Sequence, residues 1–501
     1  SVSLTQGQQS SSKSTSSTQT QRKKAKEKPK NKAKQQKQLV SPTAQAAQQL
    51  DQDEEDNRVE QQFLKQRLYP FDKLPQGAYD RAQEQWQQFG AAASEDFSLG
   101  VKTLERLAVS AVTGTVWTPI GPGTIAQGAS LANGRVNAIA INPNNPNIIY
   151  QGASGGGVWK STDAGAHWTP LLEQQPSMGI GQPSAIAIDP NNTDTIYVGT
   201  TEYAVLNISV GILKSTDGGG SWIRLGSGYP AGNTGNSEFL FSGQWITSII
   251  VDPANSNVLY LSASNGLFRS NDGGQNWTGG TNGFGFAQSL AIDLTSPANA
   301  RILYAGINNR GVFRSNNGGQ TWTAMLTTAT PAVNTALAGG TFNKVVVALA
   351  PPTATPNPAG IQVMYATMEG VPQGTPPSTT PDPLGIFQST DQGVTWTRRT
   401  ATGLGGCQCF FTLEMGVDPA SPGDGVNDII YWGGTGQSKS TDSGNTFSNI
   451  GNGQHVDTHS LWTFLRQPSG PSIVYTGNDG GIWRSKDGGT TWTGTGGPEA
   501  S

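Results

Sequence analysis

The chain has 501 residues, of which 65 are Gly and 30 are Pro, and only 13% are charged, for a formal net charge of −3. This composition is typical of a turn-rich all-β protein rather than a helical one. No apolar run approaches the roughly 18 residues that would cross a bilayer, so a membrane span is not expected. The two cysteines, Cys407 and Cys409, are too few for a disulfide framework and are either a local bridge or two free thiols.

The N-terminal segment, residues 1–57, is predicted to be a disordered tail because it is rich in Ser, Gln and Lys and has little apolar surface to bury. Residues 1–106 hold 17 of the 32 Lys and Arg and 13 of the 35 Asp and Glu, a surplus of 4 positive charges, whereas the remainder has a surplus of 7 negative charges. The basic run 22–34 could contact nucleic acid or an anionic surface. Without interleaved aromatic residues it is interpreted as a solvated linker, and no nucleic-acid partner is expected.

Residues 58–112 are predicted to be a helical lead-in to the domain that follows. Phe63, Leu64 and Leu68 have helical spacing, and so do the apolar positions of residues 78–89, which favours a short amphipathic helix.

The segment 113–497 contains one motif seven times. Its copies read S-T-D-A-G-A-H-W (161–168), S-T-D-G-G-G-S-W (215–222), S-N-D-G-G-Q-N-W (270–277), S-N-N-G-G-Q-T-W (315–322), S-T-D-Q-G-V-T-W (389–396), S-T-D-S-G-N-T-F (440–447) and S-K-D-G-G-T-T-W (485–492). The first copy holds Ser161, Asp163 and His167, the residue types of a hydrolytic triad, but the other copies have no His at that position. Because triad members come from distant segments, we interpret the motif as a turn.

Each copy has the chemistry of a tight turn between two strands. Asp or Asn accepts hydrogen bonds from nearby backbone N–H groups, and Gly tolerates positive φ. Alternating runs such as G-V-W-K (157–160) precede the copies, and two more apolar runs lie further upstream, as in residues 185–199. Four short strands per unit are therefore predicted, with a period of roughly 54 residues that suits a propeller blade.

The pattern S-x-D-x-G-x-x-W at a turn between strands resembles the Asp-box, or BNR repeat, of sialidases, xyloglucanase-type glycoside hydrolases, sortilin-like receptors and a photosystem assembly factor. The lead-in segment 67–82 also resembles that of secreted bacterial BNR-repeat proteins. The resemblance implies a seven-bladed β-propeller in which the boxes are structural and remote from the active site. The structural box residues are then Asp163, Asp217, Asp272, Asn317, Asp391, Asp442 and Asp487.

Two families can be compared with this chain residue by residue. Sialidases carry an Arg-Ile-Pro motif and an arginine triad, whereas this chain has no Arg-Ile-Pro and few arginines in the propeller. Xyloglucanase-type enzymes have a catalytic Asp before a Gly-Gly pair, and here Ser154 and Asn478 stand at the matching positions. Sialidase activity is therefore not expected, and the xyloglucanase pattern is incomplete.

Functional residues are predicted on the rim opposite the boxes, which carries the loops between the second and third strands and those between blades. The lone cation Arg310 is expected there, with the acidic candidates Glu202, Glu238, Glu369, Asp457 and Asp479. Two carboxyl groups converging across the channel mouth would suit glycoside hydrolysis. Glu202 with Asp457 or Asp479 is the expected catalytic pair, and Glu369 is the further candidate.

The segment Q-H-V-D-T-H, residues 454–459, holds two of the three histidines. On an extended segment His455, Asp457 and His459 would project from one face, and this donor set suits zinc, manganese or iron. The alternative is a hydrogen-bonded polar cluster without metal.

Three functions follow from this sequence. The preferred one is a secreted or cell-envelope protein that binds a polysaccharide or an extracellular protein as a monomer, and its signal peptide is expected to have been removed before Ser1. The second is a glycoside hydrolase, and the third is an assembly scaffold.

Overall fold

The structure is a computed structural model that describes residues 125–127, 130–132, 134–172, 175, 179–200, 209–225, 241, 243–280, 284–337, 340–352, 362–371, 382–399 and 402–495. The predicted tail 1–57, the lead-in 58–112 and the candidates Glu202 and Glu238 lie outside these residues.

Seven four-stranded antiparallel sheets form the described part of the chain, and the four strands of every sheet are consecutive in sequence. The predicted seven-bladed β-propeller is therefore confirmed. A short hairpin of β1 (Ile125–Gln127) and β2 (Ser130–Ala132) precedes the first blade.

Blades 1 to 3 follow in chain order, each running from its innermost to its outermost strand. Their strands are β3 (Val136–Ile141), β4 (Ile149–Ala153), β5 (Gly157–Ser161), β6 (Thr169–Pro170), β7 (Ile186–Ile188), β8 (Ile196–Gly199), β9 (Ile212–Ser215), β10 (Ile223–Leu225), β11 (Ile246–Val251), β12 (Leu259–Ala263), β13 (Gly266–Ser270) and β14 (Thr278–Gly279).

Blades 4 to 7 repeat the same arrangement. Their strands are β15 (Ala287–Asp293), β16 (Ile302–Ile307), β17 (Gly311–Ser315), β18 (Thr323–Leu326), β19 (Thr341–Leu349), β20 (Met364–Val371), β21 (Asp382–Ser389), β22 (Thr397–Arg398), β23 (Glu414–Val417), β24 (Ile430–Gly433), β25 (Gln437–Ser440), β26 (Ser448–Asn449), β27 (Thr463–Leu465), β28 (Ile473–Asn478), β29 (Gly481–Ser485) and β30 (Thr493–Thr495).

Helices are short in the described part of the chain. A 3₁₀ turn (Ala298–Ala300) lies between β15 and β16, helix α1 (Pro331–Leu337) precedes β19, and α2 (Cys409–Thr412) precedes β23. Cys407 and Cys409 are joined as a disulfide at the start of α2. None of the described helices is long and apolar enough to span a membrane.

Antiparallel pairing within a blade divides its loops between two rims. In blade 3, Val251 pairs with Leu259 at one end, whereas Ala263 pairs with Gly266 at the other. The loop from the second to the third strand thus lies at the rim where the innermost strand begins. We call this side the mouth rim. The side that carries the seven repeat turns, after the third strands, is called the turn rim.

Apolar side chains pack between blades. One buried cluster joins blades 2 and 3 through Tyr197, Ile246 and Phe268. Another joins the last blade to the first, where Tyr475 and Ile482 pack with residues of blade 1. The ring is therefore closed by side-chain packing, since each sheet contains strands from one continuous stretch of sequence.

The repeat turns share one hydrogen-bond pattern, illustrated by the third. Ser270 Oγ donates to Asp272 Oδ1 at 2.8 Å, and Asp272 Oδ1 also accepts the N–H of Asn276 at 2.8 Å. Ser270 Oγ accepts the N–H of Gly274 at 2.9 Å. These three bonds recur in the other copies. The bond from Trp277 Nε1 to the carbonyl of Gly274, at 2.8 Å, recurs only in the fourth and fifth copies. The Ser and Asp side chains of the motif therefore stabilise the turn through hydrogen bonds within it.

His167 has no catalytic geometry. Its Nδ1 lies 2.6 Å from Asp163 Oδ2 on the exposed surface. In the second copy the Ser221 hydroxyl donates to the corresponding oxygen of Asp217, also at 2.6 Å. His167 therefore has the role that a serine has in the next copy.

The repeat turns also connect neighbouring blades. At five of the seven junctions, the cation before the motif Ser donates to the carbonyl of the residue after the motif Asp or Asn in the next blade. Lys160 Nζ donates to Gly218 O at 3.0 Å, and Lys439 Nζ donates to Gly488 O at 2.7 Å. Between blades 7 and 1, Arg484 Nη1 donates to Ala164 O at 2.8 Å. These hydrogen bonds between neighbouring blades supplement the apolar packing.

Asp272→Ala is expected to lower the free energy of unfolding by about 1 kcal/mol or more, because the turn loses its acceptor for Ser270 and Asn276. Urea denaturation measures the change, and ligand binding should be retained. Gln275→Ala is the control, since that side chain is exposed in the same turn. A variant with unchanged stability and lost binding would contradict the structural role.

Candidate functional site

A charged cluster on the mouth rim joins the first and last blades. Arg135 lies just before β3, and Asp479 lies in the loop between β28 and β29. Arg135 Nε donates to Asp479 Oδ1 at 2.7 Å, and His459 Nε2 lies 2.8 Å from the same oxygen. Both Arg135 and Asp479 are about a third exposed, while His459 is buried. The cluster therefore has an exposed side and a buried side.

Asp479 is ionised in this setting. Burial acts to raise its pKa, but contact with His459 and the charge and hydrogen bond of Arg135 outweigh burial and lower the pKa of Asp479 to about 2. Burial lowers the pKa of His459, and the nearby Asp479 only partly opposes this effect. We take His459 as neutral and Asp479 as an anion that Arg135 compensates.

Asp457 lies on the same rim as Asp479 but differs from it in backbone conformation, hydrogen bonding and the direction of its pKa shift. Its backbone is in the left-handed region at φ 65°, which is uncommon for a residue other than Gly and favours sites with a local constraint. Its Oδ1 is buried and has no hydrogen-bond partner among the described residues. Burial, and then the negative charge of Asp479, raise the pKa of Asp457.

The predicted metal site is not assembled. The prediction assumed an extended segment, whereas the left-handed backbone of Asp457 turns the chain between the two histidines. His455 Nδ1 lies 3.1 Å from the carbonyl of Val456, and His459 Nε2 faces Asp479. Across the described ranges, no group of three or more His, Cys, Asp or Glu residues is arranged to hold a metal ion.

Glu369 is placed below the surface of the mouth rim. It is only 2% exposed, and its Oε2 accepts the backbone N–H of Lys344 at 3.3 Å. The side chain of Lys344 extends to blade 6, where its Nζ donates to Glu414 Oε1 at 2.8 Å. Lys344 and Glu414 are both 0% exposed. Sequence analysis did not identify either member of this pair.

A β-bulge explains why Lys344 points inward. The pairing of β19 with β20 shifts register between Phe342 and Val345, and a bulge of this kind re-aims a side chain. Similar shifts occur near the start of the innermost strands of blades 1, 3 and 4. In the sequence, the only sign of the bulge is a polar residue near the start of an otherwise apolar innermost strand, such as Lys344 in β19.

A shallow depression, open to solvent, lies at the mouth rim, and none of its lining residues belongs to the charged cluster. Trp245 and Phe286 form its aromatic wall with ring centroids 5.2 Å apart, and Phe410 of α2 contributes from blade 6. Gln182 also lines the depression, and its Oε1 is buried without a hydrogen-bond partner among the described residues. Aromatic rings with a few polar groups are typical of ligand sites.

The other predicted rim residues have local roles. Asn478 is fully buried, and its Oδ1 accepts hydrogen bonds from Gly480 N at 2.9 Å and from Trp483 Nε1 at 3.0 Å. Ser154 donates its backbone N–H to the carbonyl of Arg135 at 2.9 Å. Arg310 lies 6.0 Å from the ring centre of Phe284. None of these contacts involves the Asp479 side chain.

No protein-family model matches the chain, and no curated protein matches it. Among solved structures, an ancestral GH74 enzyme is 20% identical with a TM-score of 0.50, and the match covers 76% of this chain and 48% of that one. The GH74 xyloglucanase from Xanthomonas campestris is 16% identical with a TM-score of 0.51, covering 75% and 56%. This chain thus spans about half the length of these enzymes.

YCF48 from Cyanidioschyzon merolae is 15% identical over 70% of this chain and 95% of that one, with a TM-score of 0.42. At these identities, the GH74 structures support the propeller fold and nothing finer.

Proposed function

We propose that the protein binds an extracellular ligand, a glycan or a protein, on the mouth rim. The observation that carries the proposal is the aromatic depression of Trp245, Phe286 and Phe410 on this rim. Asp457 Oδ1 and Gln182 Oε1, on the same rim, are among the buried polar atoms without a hydrogen-bond partner in the described residues. Buried polar atoms in folded proteins are nearly always hydrogen-bonded, to the chain, to ordered water or to a ligand.

The two sides of the mouth would make different contacts with a ligand. Trp245, Phe286 and Phe410 offer apolar rings that are partly exposed, while Asp457 and Asp479 offer carboxylates. Large aromatic residues supply much of the binding energy at interfaces. Polar groups at fixed positions then select the orientation of the ligand.

Two exposed valines provide a matched test. Val456 lies on the mouth rim between His455 and Asp457 and is 52% exposed, while Val394 lies in the fifth repeat turn and is 65% exposed. A glycan array and a library of immobilised peptides first identify a ligand. Val456→Glu is then expected to weaken binding by about tenfold or more, roughly 1.4 kcal/mol, and Val394→Glu to leave it unchanged. The reverse result would place binding on the turn rim.

Glycoside hydrolysis is the second candidate, and the carboxylates of the charged cluster favour it. Burial and Asp479 raise the pKa of Asp457, whereas His459 and Arg135 lower that of Asp479. Opposite shifts in two nearby carboxyl groups suit a general acid and an ionised partner. Glu369 is too deeply buried to contact a polysaccharide from the rim.

Asp457→Asn is expected to abolish hydrolysis if the protein is such an enzyme, because the amide has no proton to donate to the leaving group. Release of reducing ends from a panel of β-linked polysaccharides measures activity. Asp424→Asn is the control, since Asp424 is exposed in the loop between β23 and β24 on the turn rim. Full activity in Asp457→Asn would exclude this residue as the acid, and binding without cleavage of any polysaccharide would leave the binding function alone.

A further inference from the structure

The disulfide between Cys407 and Cys409 lies beside the aromatic depression of the mouth rim. Phe410, which follows Cys409 directly in α2, lines the depression. Cys409 is 0% exposed and packs within an apolar cluster of blades 5 and 6, whereas Cys407 packs against this cluster and is only partly buried. The two cysteines therefore differ in their access to solvent, and Cys407 is the accessible one.

Hydrogen bonds connect the other side of the disulfide to the segment that holds Asp457. The carbonyl of Gly406, immediately before the first cysteine, accepts the N–H of Thr435 at 2.8 Å and its hydroxyl at 2.6 Å. Thr435 lies in the loop between β24 and β25, and its own carbonyl accepts the N–H of Asp457 at 3.4 Å. In the same loop the carbonyl of Gly434 accepts the N–H of Thr458 at 2.9 Å. The disulfide thus lies between the depression and the Asp457 segment.

A bridge between residues so close in sequence adds little to the stability of the propeller. A disulfide stabilises mainly by restricting the unfolded chain, and this effect increases with the number of residues in the closed loop. Here only Gln408 lies between the two cysteines. The bridge instead fixes the path of the chain from Gly406 to Phe410. Its effect is therefore expected to be local to the mouth rim.

We propose that Cys407 and Cys409 form a thiol–disulfide exchange site for a dithiol reductant, and that reduction increases the local mobility of Phe410 and of the Gly406–Thr435 contact. A thiolate of the reductant attacks the sulfur of Cys407, the S–S bond breaks, and Cys409 leaves as a thiolate that takes up a proton. The second thiolate of the reductant then attacks the mixed disulfide. Cys407 leaves and takes up a proton, and the reductant, having supplied two electrons, becomes a disulfide.

Reduction of the folded protein tests the exchange directly, because the chain has no other cysteines. The protein is treated with dithiothreitol at about pH 8, where a thiol is partly ionised, alkylated with iodoacetamide and weighed by mass spectrometry. Alkylation of both Cys407 and Cys409 is expected without any denaturant. Alkylation that occurs only after unfolding in urea would overturn the proposal, since the bridge would then be inaccessible to the reductant.

Hydrogen–deuterium exchange of the oxidised and reduced protein tests the local effect. The N–H groups of residues 411–413 donate to carbonyls of Gln408 and Cys409, and that of Thr435 donates to Gly406. After reduction these amides are expected to exchange about tenfold faster or more, because local opening becomes less costly. The seven repeat turns should be unaffected. Unchanged exchange at residues 411–413 and Thr435, or faster exchange throughout the propeller, would overturn the proposal.

The double variant Cys407→Ser, Cys409→Ser is the matched control. Its exchange should resemble that of the reduced wild-type protein and should not respond to dithiothreitol. A response in this variant would attribute the effect to the reagent and overturn the proposal. Should the variant fail to fold, the reduced wild-type protein still gives the answer. Neither measurement uses a ligand, so both results stand whether or not the mouth rim has the proposed binding function.

Discussion

Lys344→Met is expected to lower the free energy of unfolding by about 3–5 kcal/mol, as the removal of one partner from a buried ion pair generally does. The substitution leaves the carboxylate of Glu414 fully buried with neither of its oxygens bonded to a side chain of blade 5. Urea denaturation at pH 8 measures the loss. The loss should be smaller at pH 6, because burial raises the pKa of Glu414 and the variant lacks the lysine that opposes this shift, so Glu414 takes up a proton more readily.

The double variant Lys344→Met, Glu414→Leu is the control for this result. Apolar residues of similar volume often replace a buried ion pair at little cost, so the double variant should recover most of the lost stability. A loss below about 1 kcal/mol in Lys344→Met would show that the pair is not isolated from water. A double variant as unstable as the single one would attribute the effect to packing of the lysine stem.

Asp479→Ala is expected to cost about 1.5–3 kcal/mol, the range for hydrogen bonds to charged groups, because Arg135 and buried His459 both lose their partner. The pKa of Asp479 in the folded protein, about 2, lies below its ordinary value of 3.8. The stabilisation is therefore fully present above about pH 4 and is lost as the pH falls toward 2.

Thermal unfolding of Asp479→Ala and the wild type between pH 7 and 3 tests this dependence. The difference in melting temperature should be constant from pH 7 to about 4.5 and shrink below pH 4. Asp194→Ala, in the loop between β7 and β8 on the turn rim, is the control for a general charge effect, because Asp194 is exposed there. A difference that grows on acidification would contradict an ionised Asp479 in the folded protein.

The propeller could be predicted from the sequence because its signal is repeated. Each copy of the motif encodes its turn locally, with Asp272 and Gly274 within five residues of Ser270. Seven copies, spaced 45 to 74 residues apart, then leave few architectures that bury all the strands. The assignment of loops to the two rims followed from strand alternation alone, since every antiparallel connection reverses the chain.

The site was harder to predict because it depends on backbone irregularities and on ring closure. Asp457 is left-handed, which separates the directions of His455 and His459, although their spacing suits one face of an extended strand. Lys344 is aimed inward by a bulge that only the pairing with β20 reveals. Arg135 and Asp479 are 344 residues apart in sequence and meet only because blade 7 closes on blade 1.

Hydrogen–deuterium exchange of the protein with and without the ligand from the array screen tests the central claim, binding on the mouth rim, most directly. Exchange is expected to slow in residues 454–460 and 478–481 on binding, because a ligand there would restrict the loops around Asp457 and Asp479. The seven repeat turns should exchange at unchanged rates. Protection confined to the repeat turns, with residues 454–460 and 478–481 unaffected, would contradict the account.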